Sequence, residues 1–401
     1  MEILYCFIVF LVCIFSTIVL KYMSMKFTSK THLFLPPSPP SLPLIGHLHH
    51  LSSDLSKSFC TLSSKYGPLL RLRLGFYNLF VVSSSSLATE MFTTHDLAFS
   101  GKPKSVFEDS GLFAESGIIM APYGDHWKFM KKLCVTQLLG AQQIQKTKRV
   151  RREELEQLLR RLVDKAHKKE LVDISSEMLR TTNNGICRMV MSTRCSGEDS
   201  EAEMCRDLVK SAFELAGKLM IAKMFGPLSK LGYWVNGKKL EDVSRRCNDL
   251  LERIMNEHEQ RAKRNDDHET QDKDLMNILL QVYKDERSEF KISRSIIKAF
   301  IMDLFIAGTT TSADAIVWVM VELKSHPKIF NKVREEIESV VGKSGRLVEE
   351  SDISKLPYLQ AVVKETLRVH PPGPILPRQS REDCRLGNFY IPQNSVVFLN
   401  S

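Results

Sequence analysis

The hydrophobic pattern opens with Ile3 to Leu20, eighteen residues in which only Ser16 and Thr17 are polar. As a helix this run spans about 27 Å, close to the hydrocarbon thickness of a bilayer. A cleaved signal peptide would want a basic leading region, a shorter run and a small-x-small site. Here Glu2 leads and Lys21, Lys26 and Lys30 follow, which favours an uncleaved single-pass anchor. The lysines after the span put the body in the cytosol by the positive-inside rule. No second run of this purity follows.

Pro36-Pro37-Ser38-Pro39-Pro40-Ser41-Leu42-Pro43 is neither helix nor central strand, because each proline lacks an N–H and fixes φ. It reads as a stiff spacer or, given its place after an anchor, as a hinge that orients the body. The domain division is then 1–24 anchor, 25–48 basic and proline-rich hinge, and 49–401 body. Leu70 to Leu74 alternates with period two, Gly75 to Asn78 offers a turn, and Leu79 to Val82 follows, predicting a hairpin. From about 126 to 325 the pattern is helical, with breaks near Gly140, Gly197, Gly226-Pro227 and 264–274. Helices are expected over 327–341, with Pro327 in the first turn, and over 358–370, stopped by Pro371-Pro372. Short apolar runs and turns close the chain, the last from Ser395 to Asn400. The class is mainly α with a small β-sheet, preceded by one N-terminal transmembrane helix.

Composition changes little: 43% hydrophobic and 26% charged residues are globular values and exclude a disordered chain. Nine scattered cysteines without a C-x-x-C pair argue against a disulfide framework or a zinc module. Charge is uneven. Residues 128–169 hold 13 Lys/Arg against 4 Asp/Glu, so the net +9 of the whole chain is concentrated there. That run is either a solvated helix face or a docking surface for an acidic partner. Nucleic acid fits poorly, since interleaved aromatics are missing.

Ser293 to His326 is apolar on nearly every side, which predicts one long buried helix crossing the domain centre. Ala307-Gly308-Thr309-Thr310-Thr311-Ser312 interrupts it. Gly308 costs about 1 kcal/mol against Ala, and a local conflict of this kind is expected at functional sites. The glycine lets something bulky approach, and the threonines can bond back to the preceding turn or release it for a ligand. A tight helix crossing with satisfied hydroxyls explains the same residues. Glu365 and Arg368 share a helix face, a common spacing. Trp127 and Lys131, four apart, can aim two donors at a carboxylate or phosphate, or can be a surface cation beside a half-buried ring.

In combination and in this order, the anchor, the proline hinge, Trp127-x-x-x-Lys131, Ala307 to Ser312, Glu365-x-x-Arg368 and Pro371-Pro372-Gly373-Pro374 resemble a plant microsomal cytochrome P450. Pro122-Tyr123-Gly124, Lys131-Lys132-Leu133-Cys134 and Leu356 to Ala361 are similar to flavone and isoflavone synthases, pterocarpan hydroxylases and triterpene oxidases. The resemblance implies the cytochrome P450 fold, haem b as cofactor, and oxidation of a lipophilic substrate by O2. Electrons would come from NADPH through the FAD and FMN of NADPH-cytochrome P450 reductase, received on the basic 128–169 face. The location implied is the endoplasmic reticulum membrane. Trp127 and Lys131 would hold one haem propionate and Arg378 the other. Ala307, Gly308 and Thr311 would line the oxygen side, with Thr311 hydrogen-bonding dioxygen and steering protons to it. Glu365 and Arg368 would be structural. Val106, Phe107, Leu112, Phe113, Ile118 and Ile119 would roof the substrate pocket, and Asp303, Ala307, Ile375 and Leu376 would line it.

Two departures stand out. Thr310 occupies the position where the family usually has Asp or Glu before the catalytic threonine. The family's haem cysteine loop is missing before Ser401, so no metal ligand is assigned. Cys384, between Asp383 and Arg385, lacks a flanking glycine pocket. The expectation is a C-terminally truncated monooxygenase, inactive as 401 residues. The alternative is a non-catalytic, membrane-tethered remnant or isoform that binds apolar ligand or reductase.

Overall fold

In unit one, helix α1 (Leu55–Tyr66) starts where the Asp54 carboxylate accepts from the Lys57 amide, and it lays Phe59 and Leu62 onto a sheet. The expected hairpin is β1 (Leu69–Leu74) and β2 (Tyr77–Val82), antiparallel across a turn in which Gly75 takes φ 62°. Helix α2 (Ser85–Thr93) follows, and the chain returns much later with β3 (Ile375–Gln379), β4 (Cys384–Leu386), β5 (Phe389–Ile391) and β6 (Val396–Asn400). The sheet order is β1-β2-β6-β3, with β6 parallel to β2 and antiparallel to β3, while β4 and β5 pair separately. Every residue of β6 is buried. Val396 and Phe398 join the α1 side of the core, and Val397 and Leu399 join the α2 side. Covering both faces is why this strand reads as a continuous apolar run rather than an alternating one.

This computed structural model describes residues 34–104, 117–192, 201–226, 229–264, 274–342 and 346–401. The anchor and the roof residues Val106, Phe107, Leu112 and Phe113 lie outside the described residues. From Phe34 onward the proline segment is docked rather than free. The Arg71 amide donates to the Pro37 carbonyl (2.9 Å), Gly75 to that of Ile45 (3.0 Å), and the buried His47 ring meets the Pro39 carbonyl (2.8 Å). Two compact units result: the described residues of Met1–Pro103 with Ile221–Gly232 and Ile375–Ser401, and those of Lys104–Met220 with Tyr233–Pro374.

Unit two is helical: α3 (Asp125–Leu133), a π turn (Cys134–Leu138), α4 (Ala141–Lys146), α5 (Lys148–His167), α6 (Ile174–Met191), α7 (Glu201–Met224), α8 (Ser229–Arg264) and α9 (Leu275–Lys284). Then come α10 (Arg294–Gly308), α11 (Thr310–Ser325), α12 (Pro327–Val341) and α13 (Pro357–Val369). Helices α7 and α8 cross the division between the units. The expected α12 is met to the residue, and α13 begins one residue early because Pro357 opens its first turn.

The long helix expected from Ser293 to His326 is corrected in two ways. It is two helices, separated at Thr309. It is also not buried all round. In α10, Ile297, Phe300, Ile301 and Phe305 sit at the centre of the largest core cluster. In α11, Ile316, Trp318, Met320 and Val321 are 42–44% exposed. Only Ala313 of α11 is fully buried, where it meets Leu158 of α5 and Met178 of α6.

Candidate functional site

The break at Thr309 is held from α6. The Thr182 hydroxyl donates to the Thr309 carbonyl at 2.8 Å, while the helical bond from the Ala313 amide to that same carbonyl is stretched to 3.4 Å. A Cβ at Gly308 would come within 2.5 Å of the Ile186 side chain, so the glycine permits the approach of α6. Thr182 and Ile186 are four apart and share a face of α6. Sequence reasoning missed both, since nothing local marks them. Thr309 itself is 1% exposed, and its hydroxyl has no partner among the described residues.

On the other side of the break, Ala307 is exposed and Gly308, Thr310 and Thr311 are half-exposed. The Thr311 hydroxyl donates to the Ala307 carbonyl one turn back. The structure thus brings Ala307 and Thr311 together on an open, small-residue stripe. The Thr311 hydroxyl is one that can turn from a backbone carbonyl to another acceptor.

Asp303 is not an open pocket wall. It is 4% exposed, and its Oδ2 accepts from the amides of Ile118 (2.6 Å) and Ile119 (3.0 Å). Burial pushes its carboxyl up to about 6, and the two amide bonds pull the other way. A Cβ at Gly117 would fall on this carboxylate. Asp303 is therefore a latch for the 117–119 segment. Ile118 packs onto the core, and Ile119 is 39% exposed.

Trp127 and Lys131 do share a face. The ammonium lies 4.7 Å from the indole centroid, and Tyr123 tilts against the same ring at 5.5 Å. Lys131 is exposed, and no carboxylate among the described residues pairs with it. Arg378, in unit one, stands 5.6 Å over the Phe92 ring and donates to the Pro377 carbonyl. Desolvation and then the nearby Arg378 push the Lys102 ammonium down to about 8. Burial also lowers Arg378, against the pull of Asp96. Lys102 and Arg378 are both half-buried, and neither is in an ion pair among the described residues. Lys102 was not singled out from sequence.

Three expectations change. Glu365 and Arg368 form their bidentate pair (2.7 and 2.8 Å), but the side chains are 62% and 71% exposed, so solvent screens it and the pair contributes little. Ile375 and Leu376 do not form one wall. Adjacent strand residues point to opposite faces, so Ile375 packs into the core of unit one while Leu376 is exposed. The basic run is largely neutralised in place: Arg149 pairs with Glu153, Arg151 with Glu350, Arg152 with Glu156 and Glu349, and Arg161 and Lys165 with Glu177. Among the described residues, no ion pair involves Lys146, Lys148, Arg160 or Lys169.

Burial, with Glu382 and Asp383, pushes the Cys384 thiol up to about 11, and burial raises Cys134. Cys187 and Cys247 are buried in the core. No cluster of three or more His, Cys, Asp or Glu suited to a metal occurs among the described residues.

A cytochrome P450 family model matches residues 36–401. Cytochrome P450 705A5 of Arabidopsis thaliana is 46% identical over 398 residues, covering 98% of this chain and 77% of its own length. Cytochrome P450 93B2 of Gerbera hybrida is 40% identical over 393 residues, covering 98% and 76%. The 3,9-dihydroxypterocarpan 6A-monooxygenase of Glycine max is 38% identical over 397 residues, covering 98% and 77%. A zebrafish cytochrome P450 solved with abiraterone superimposes with a TM-score of 0.69 at 24% identity, covering 85% of this chain and 76% of that one. That likeness shows the fold.

Proposed function

The chain belongs to the cytochrome P450 family of haem-dependent monooxygenases, and from that premise we propose that it places one oxygen atom of O2 on a lipophilic plant secondary metabolite, a flavonoid, isoflavonoid or triterpenoid. The observation that carries this reading is the helix break at Thr309 with Ala307, Gly308 and Thr311 on its open side. Haem b held by a cysteine thiolate would supply the oxygen-activating chemistry.

Each unit, taken by itself, carries groups of the right chemistry for part of that cofactor. By the family resemblance, Trp127 with Lys131 would hold one propionate and Arg378 the other; Trp127 brings a neutral N–H donor, and Lys131, Arg378 and Lys102 bring positive charge. The small, exposed Ala307 would leave room for the oxygen substrate and for the carbon to be oxidised, while the missing side chain of Gly308 admits Ile186 of α6. Thr311 presents its hydroxyl there and passes protons inward. Thr310 beside it cannot ionise, and the carboxylate of Asp303 is held by two amides.

NADPH-cytochrome P450 reductase, with its FAD and FMN, would deliver electrons to the basic face, where Lys146, Lys148, Arg160 and Lys169 provide the long-range attraction. A single-pass position in the endoplasmic reticulum membrane, with anchor 1–24, hinge 25–48 and catalytic domain 49–401, is supported by exposed apolar side chains beside the docked hinge. Phe34, Leu42, Leu44, Ile45, Phe76 and Phe225 all lie in unit one and are 38–73% exposed.

The test is a reduced, carbon-monoxide difference spectrum of purified protein with added haem. Residues 1–401 alone are expected to give no thiolate-type Soret band, because Cys384 stays protonated. With a cysteine loop of this family joined after Ser401, the band should appear. Reductase and NADPH should then add one oxygen atom to a pterocarpan, flavonoid or triterpene, read by mass spectrometry. In that protein Thr311→Ala should release several times more hydrogen peroxide per NADPH with substrate binding unchanged, since general acid catalysis is worth about a hundredfold or more. A band without any oxygenated product from these three classes would sink the substrate reading. Arg378→Ala should weaken haem retention about tenfold, the worth of one charge-assisted hydrogen bond, and equal retention would remove Arg378 from the site.

A further inference from the structure

We propose that Thr182 is a positioning residue that holds open the helical turn between Gly308 and Ala313. A regular helix would satisfy the Thr309 carbonyl with the Ala313 amide at about 2.9 Å. Here that distance is 3.4 Å, and the shorter bond comes from outside the helix, from Thr182 at 2.8 Å. The Thr182 hydroxyl has one proton to give. Its two other acceptors, the carbonyls of Met178 and Leu179, lie farther away at 3.1 Å. The side chain therefore gives up the usual back-bond to its own helix in favour of the neighbouring one.

Two further observations converge on the same turn. Ile186, on the same face of α6, occupies the volume that a side chain at residue 308 would need, so α6 is seated against the backbone there. The Thr309 hydroxyl, 1% exposed, has no partner among the described residues. A threonine in a closed turn bonds back to the carbonyl four residues earlier, as Thr311 does to Ala307. Thr309 lacks that bond to the Phe305 carbonyl, which accepts from the Thr309 amide at 3.2 Å. The pinned carbonyl lies between Ala307 and Thr311, so the pin sets how these two residues are presented. That consequence rests on the reading of this face as the oxygen side of the site. The geometry of the pin does not.

The test uses hydrogen–deuterium exchange on the haem-free chain, and so stands apart from any result on activity. In Thr182→Val the carbonyl loses its outside donor, and the Ala313 amide should close onto it. Its exchange should slow roughly five- to tenfold, the worth of one net hydrogen bond. Thr182→Ser keeps the hydroxyl and should exchange like wild type. Exchange at Ala313 that is unchanged or faster in Thr182→Val would show that the hydroxyl only fills space, and would overturn the proposal. Thr182→Ala serves the same purpose if the valine does not pack: slower exchange at Ala313 supports the pin, and unchanged or faster exchange refutes it.

Discussion

Replacing Arg188 with methionine should cost about 3–5 kcal/mol of stability, the usual result of stranding a buried charge. Arg188 lies on α6 and reaches Glu153 and Glu154 of α5, with 2.7 Å to the Oε1 of Glu154. Glu154 is 4% exposed, and its second oxygen has no partner among the described residues, so its desolvation is offset mainly by Arg188. Glu153 has a second cation in Arg149 and is far less dependent. Hydrogen bonds from Arg188 and then Arg149 hold its carboxyl down at about 2. Arg188→Met should therefore destabilise through Glu154, and the double variant Arg188→Met/Glu154→Leu should recover most of the loss. Guanidinium unfolding of the four members of the cycle measures this. A double variant as unstable as Arg188→Met would place the cost in packing rather than in the stranded charge. The effect bears on the candidate site because α6 also carries Thr182 and Ile186. A second clamp, Arg161 and Lys165 on Glu177, fixes the same two helices one turn from Thr182.

That dependence explains what the sequence made legible and what it did not. The hairpin and α12 were readable because alternation, a turn glycine and an initiating proline are local signals, and packing did not contradict them. The anomaly at Ala307 to Ser312 was also readable, because glycine and three threonines inside an apolar run conflict with their neighbours. Its cause was not, because the agents lie over a hundred residues away in sequence, where Thr182 and Ile186 look like ordinary helix positions. The charge run at 128–169 was legible as composition, but its acidic partners Glu177, Glu349 and Glu350 come from other segments. Pairing removes most of the free charge that composition suggests. The same reason limits Glu365-x-x-Arg368: spacing predicts the bond correctly, while burial is a property of what packs over it. Lys102 escaped notice because a single lysine becomes chemically distinct only when burial and Arg378 lower its pKa.

Asp303 should give the chain a pH dependence that a neutral isostere removes. Burial holds its carboxyl at about 6, above the ordinary 3.8, in spite of the amides of Ile118 and Ile119. Between these values the folded protein binds a proton that the unfolded chain has released. Stability from the neutral form is then complete below about pH 4 and is lost as pH rises through about 6. At about 1.4 kcal/mol per pKa unit the loss is on the order of 3 kcal/mol. Asp303→Asn keeps an acceptor for the two amides and cannot ionise. Its unfolding free energy should lack this component, so that the difference from wild type changes by roughly 2–3 kcal/mol between pH 4 and pH 7. Other carboxylates titrate in both proteins and cancel in the difference. Asp303→Ala removes the acceptor altogether and orphans two amides at about 1–3 kcal/mol each. It should therefore be the less stable variant at every pH and should expose the 117–119 segment to protease. Parallel stability curves for wild type and Asp303→Asn would mean that this carboxyl titrates as it does in water. The two amide bonds would then outweigh burial, and the latch would be an ordinary ionised cap on the loop.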